Sequence, residues 1–124
     1  MNERVRIHFD EIEARLIECP AILSYQIIRR NISPDDGKLR IRSTLIGGGV
    51  FECFLYVKDT GYRIHPLKYS FHWQNAEGKP VRRLDNAPHH TDLPYAPNYL
   101  HIGADHVESF SGNTDIFAFI DKME

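Results

Sequence analysis

In the stretch Lys38-Leu39-Arg40-Ile41-Arg42-Ser43-Thr44-Leu45, Leu39, Ile41 and Leu45 alternate with Lys38, Arg40, Arg42 and Thr44. A period of two sends successive side chains to opposite faces, so this reads as a strand with one buried face and one basic face. Gly47-Gly48-Gly49 then lets the backbone reverse, and Phe51, Cys53, Leu55 and Val57 repeat the same period. Asp59-Thr60-Gly61 turns the chain again, and Leu67, Tyr69, Phe71 and Trp73 alternate with Lys68, Ser70, His72 and Gln74. A turn at Asn75-Ala76-Glu77-Gly78 leads to a shorter strand from Val81 to Asp85. Upstream, Leu23, Tyr25 and Ile27 alternate within residues 22–32, and Pro34-Asp35-Asp36-Gly37 supplies turn residues before the basic strand. Short polar turns favour antiparallel neighbours. With Tyr99–Gly103 as a last short strand, the reading is a meander of five to six strands.

Helices are expected at both ends. Val5, Phe9, Ile12 and Leu16 fall on one stripe of a helix from Asn2 to Glu18, closed by Pro20. Thr114–Met123 reads as a short C-terminal helix with Asp115 in its first turn. The prolines at 88, 94 and 97 forbid regular ladder pairing from Ala87 to Pro97, which reads as an ordered loop or lid. The expected class is α+β, an antiparallel meander sheet with an N-terminal and a short C-terminal helix, in a single domain over residues 1–124.

With 42% hydrophobic and 26% charged residues, the chain suits an ordinary globular protein with a real core. A formal charge of −2 excludes the uniform basicity that announces a nucleic-acid protein, so any polyanion site has to be local. Such local charge exists: residues 29–42 and 61–90 each carry +3, whereas residues 91–124 carry −5. Cys19 and Cys53 lack C-x-x-C spacing and read as reduced core residues. No apolar run has the length of a signal peptide or membrane span, so the expected location is cytoplasmic.

Five of the seven histidines lie between positions 65 and 101. His89, His90 and His101 flank the proline-rich loop near Arg82, Arg83, Asp85 and Asn86, and His72 lies on the polar side of its strand. Imidazole exchanges protons near neutrality, and a guanidinium can hold a phosphate bidentately. Two histidines with an arginine can therefore cleave a phosphodiester without a metal. One deprotonates a ribose 2′-hydroxyl, the other protonates the leaving 5′-oxygen, and Asp85 can orient one ring. The catalytic candidates are His72, Arg83, Asp85, His89 and His101. The substrate-binding candidates are Arg40, Arg42, Lys68, Arg82, Asn86 and His90.

Blander readings stand beside this one. Asp and Asn cap turns, histidines in a polar loop are often plain surface groups, and a basic strand row is more often a solvated face than an RNA platform. A non-enzymatic protein-interaction module fits such features. A small metal-dependent hydrolase is a third class, though no Cys pair or His-x-x-x-His helix supports His89 and His90 as ligands. No metal site and no cofactor are assigned.

The string Arg83-Leu84-Asp85-Asn86-Ala87-Pro88-His89-His90, preceded by Tyr69-Ser70-Phe71-His72-Trp73-Gln74 and followed by Leu100-His101-Ile102-Gly103, resembles the TumE-like family of small prokaryotic toxins. Arg83, Asp85, Asn86, His89 and His101 match position by position. Leu84 replaces an aromatic residue of the pattern, and Pro97-Asn98-Tyr99-Leu100-His101 replaces Pro-His-His-x-His. The resemblance implies the toxin of a type II toxin-antitoxin module, neutralised by a cognate helix-turn-helix antitoxin. Ribonuclease action is the activity it suggests, with RNA as a further partner, a homodimer as a candidate assembly and no membrane partner.

Overall fold

A computed structural model of the chain describes residues 2–86, 99–103, 106–109 and 115–123. Its first helix, α1, spans Glu3–Glu18 and buries Val5, Phe9, Ile12 and Leu16, the four residues whose spacing predicts a single stripe. Asn2 fixes where it starts. Its side-chain oxygen accepts from the Val5 N–H at 2.9 Å, satisfying a first-turn amide that has no partner inside the helix. The amide nitrogen of the same side chain donates to the Pro34 carbonyl at 3.0 Å and to Asp59 Oδ2 at 3.1 Å, so the cap also fastens α1 to the sheet. Asn2→Ala removes all three bonds and is expected to cost about 1–2 kcal/mol, seen as a melting temperature several degrees lower. Asn2→Asp keeps the acceptor but loses both donors, and should recover only part of that loss.

The strands are β1 (Ile22–Ile32), β2 (Asp36–Leu45), β3 (Val50–Asp59), β4 (Ile64–Gln74), β5 (Pro80–Asp85), β6 (Tyr99–Ile102) and β7 (His106–Ser109). Each pairs antiparallel with its sequence neighbour, in the spatial order β1 to β7. The α+β meander expected from the alternation is therefore present, and His106–Ser109 adds a seventh strand among the described residues. The expected proline loop from Ala87 to Pro97 lies outside the described residues.

Two glycines act differently from the expectation that they serve only as turns. Gly37 lies in β2 opposite Ile32 and Val57, beneath α1. A Cβ there would stand 2.6 Å from Val5 Cγ1 and 3.0 Å from the Phe9 ring, so glycine is what lets the helix settle onto the strand. Gly49 admits no side chain either, because a Cβ would stand 2.7 Å from the Gln74 carbonyl oxygen. Leu67, placed by alternation with the core residues, sits instead at a register shift opposite Tyr56 and Val57 and is 39% exposed.

Both helices lie on one face of the sheet. Leu39, Ile41, Phe51, Cys53, Leu55, Val57, Tyr69, Phe71, Leu84 and Leu100 point into a core completed by the α1 stripe. The second helix, α2, spans Ile116–Asp121, with Asp115 as its N-cap accepting from the Phe117 N–H at 2.7 Å. Its Phe119 stacks on Phe51 with ring centroids 5.5 Å apart and tilts against Phe71 at 5.7 Å. Cys19 and Cys53 are both buried free thiols, and burial pushes the Cys53 thiol well above the ordinary cysteine range. No helix among the described residues is long and apolar enough to cross a membrane.

Candidate functional site

The face opposite the helices carries the alternate residues of each strand, and the register aligns them in rows. Arg42 pairs with Glu52, Glu52 with His72, His72 with Arg83, and Arg83 with His101, one residue from each of β2 to β6. The next row runs Arg40, Phe54, Ser70, Asp85. The row after that holds Lys38, Tyr56 and Lys68. With strands about 4.8 Å apart, His72 and His101 stand about 10 Å apart at the backbone, with Arg83 between them.

Asp85 anchors this arrangement. It is only 1% exposed, yet its Oδ2 lies 3.0 Å from Arg83 Nε and 3.5 Å from His101 Nε2. A buried carboxylate is stable only when cations or hydrogen-bond donors surround it, and here a guanidinium and an imidazole stand beside it. Arg83, at 41% side-chain exposure, remains open to a ligand, whereas His101 at 20% is largely enclosed. His72 is half-buried. Its imidazole is held below the usual histidine range, first by burial and then by the neighbouring Arg83 charge, against the opposing pull of Glu52.

Two adjoining depressions open on this face. One, of about 340 Å³, is lined by Arg40, Glu52, Phe54, Ser70, His72 and Arg83. The other, of about 220 Å³, is lined by Phe54, Lys68, Tyr69, Ser70, Arg83, Asp85 and Asn86. Phe54, Ser70 and Arg83 border both, so the two form one shallow trough over β3 to β5.

The structure thus brings His72, Arg83, Asp85, His101, Arg40, Arg42 and Lys68 to a single face. Arg42 is engaged there by an ion pair with Glu52. Arg82, between Val81 and Arg83, pairs with Trp73 and Ile102 and belongs to the opposite, helix-covered side. Asn86 uses its side chain on β4, accepting from the Tyr69 N–H and donating to the Leu67 carbonyl, both at 3.0 Å. It prolongs the β4–β5 ladder past the last strand residue. His89 and His90 lie outside the described residues. Among the described residues no three His, Cys, Asp or Glu side chains gather closely enough to hold a metal ion.

Sequence reasoning passed over Phe54 and Tyr56. Arg40 sits over the Phe54 ring at 4.7 Å and Lys38 over the Tyr56 ring at 5.1 Å. A signal was there: both aromatics occupy the outward positions of a strand whose inward positions, Cys53, Leu55 and Val57, are already apolar.

Comparison with curated proteins and with solved structures finds no match. A family model described as toxin TumE matches residues 12–124, which include all seven strands and every residue of the trough. A match of that extent, over strands and site alike, makes the chain a member of the TumE family of toxins.

Proposed function

We propose that this toxin acts by cutting RNA, without a metal, at the trough on the open face of the sheet. Membership of the family makes it the toxin component of a toxin-antitoxin module, with an antitoxin as partner. The observation that carries the reading is the row His72, Arg83, His101 with the buried Asp85 beside it. A row of two imidazoles flanking a guanidinium, on a rigid sheet, suits an in-line phosphoryl transfer.

His72 takes the proton from a ribose 2′-hydroxyl. The resulting 2′-oxygen attacks the adjacent phosphorus, the bond from phosphorus to the 5′-oxygen breaks, and His101 delivers a proton to that leaving oxygen. The products are a 2′,3′-cyclic phosphate and a 5′-hydroxyl end. Arg83 neutralises charge developing on the non-bridging oxygens, and Asp85 orients His101 and Arg83. The low proton affinity of His72 suits the base, which has to be neutral at the start of the reaction. We place this activity in the cytoplasm, under the control of an antitoxin of the helix-turn-helix class.

Purified protein incubated with end-labelled RNA in excess EDTA is expected to release fragments ending in 2′,3′-cyclic phosphate. Intact RNA under these conditions would overturn the proposal, and cleavage appearing only on addition of a divalent metal would assign the protein to metal-dependent hydrolysis.

A further inference from the structure

Phe54 and Tyr56 are aromatic side chains on the side of β3 that faces away from the core, and each has a cation poised over its ring. Tyr56 is fixed further by its hydroxyl, which donates to Asp36 Oδ2 at 3.0 Å. Phe54 forms a wall of both depressions. It lies directly opposite Ser70 and so diagonally from His72, about 7–8 Å away at the backbone. Lys38, Arg40 and Lys68 make no ion pair among the described residues, although the chain as a whole carries −2.

We infer that Phe54 and Tyr56, with Arg40, Lys38 and Lys68, form a stacking platform that selects unpaired RNA, seating the base of a nucleotide beside the scissile phosphate. The inference rests on the RNA-cutting reading and adds to it a substrate class and the residues that recognise it. A nucleobase has a flat π-face that stacks on an aromatic ring whatever its sequence, and only an unpaired base can present that face. The cations supply what the next phosphates need. An acidic protein segment could be drawn by the same charges, but it would have no use for two rings lying side by side along a strand at the period of alternate residues. The trough is also shallow and open, as threading of a strand requires, and its larger lobe of about 340 Å³ lies at the lower end of small-ligand clefts.

The test is fluorescence anisotropy with a labelled single-stranded RNA carrying 2′-O-methyl groups throughout, so that it binds but cannot be cut. Phe54→Ala is expected to weaken binding roughly ten-fold or more, Phe54→Trp to preserve it, and a duplex of the same sequence to bind more weakly than the single strand. Phe54→Leu keeps most of the apolar volume and guards against misfolding; it should still lose affinity, because the flat ring is what is removed. Equal affinity of Phe54→Ala and the unaltered protein, or a duplex bound as tightly as the single strand, would overturn the inference. So would displacement of Phe54→Leu and the unaltered protein to the same extent by an acidic peptide. Binding that depends on Phe54 in a protein unable to cut unmodified RNA would sink the catalytic reading alone; cleavage that ignores Phe54 would sink the platform alone.

Discussion

Replacing His72 with alanine is expected to lower RNA cleavage about 10²–10⁴-fold, the usual contribution of a positioned acid or base, and to relieve growth arrest in cells that express the protein. His101→Ala should have an effect of the same order, and the two together little more than either alone, since both serve one concerted step. The fold should survive. His72 is on the water side of β4, away from the core that α1 and α2 close, so thermal unfolding of His72→Ala should differ by less than a few degrees. A protein that remains toxic without either imidazole would have another source of toxicity. The pH profile adds a second check. Because folding lowers the proton affinity of His72, the acidic limb of the rate should lie below 6.5, the ordinary histidine value. Glu52→Gln, which removes the charge favouring the protonated ring, should move that limb further down, although Arg42 opposite Glu52 then loses its partner. The same shift has a stability counterpart of fixed sign. The folded state resists protonation of His72, so this group imposes no penalty above 6.5 and an increasing one as the pH falls below it.

The second large effect belongs to Asp85 and Arg83, and it should be asymmetric. Asp85→Asn removes a carboxylate from a site that is 1% exposed, leaving Arg83, at 41% exposure, able to turn toward water. The expected cost is about 1–3 kcal/mol. Arg83→Gln does the reverse, leaving the buried carboxylate with one cationic neighbour fewer and nowhere to go, and should cost more, about 3–5 kcal/mol. Urea unfolding of the two variants decides the matter, and equal losses would mean that the carboxylate is better solvated than its burial implies. Both variants should also cut RNA more slowly, Arg83→Gln through lost charge stabilisation and Asp85→Asn through a misoriented His101.

The stripe Val5, Phe9, Ile12, Leu16 and the alternation from Leu39 to Trp73 were enough to lay out the helix and the meander, because both periods are set by burial on one side only. Gly37 shows where that reasoning stops. Pro34-Asp35-Asp36-Gly37 carries strong turn chemistry, yet the turn is complete by Asp36, and the last glycine serves Val5 and Phe9 of a helix on the far side of β1 in the chain. Local sequence does not report a tertiary approach of that kind. In the site, alternation could separate Arg82 from Arg83 in principle, since neighbours on a strand face opposite ways, but only the register with β4 and β6 says which of them stands between the two histidines. Asn86 reads as a ligand or a turn former from its neighbours, and its two bonds to the β4 backbone become visible only once the strands are paired.

Cys19 and Cys53 occupy the interior, the first at the end of α1 and the second under the middle of β3. Peroxides and nitrosating agents act on thiolates that water can reach, and neither sulfur meets that condition. Oxidants that work through exposed thiolates therefore find no cysteine lever on this toxin.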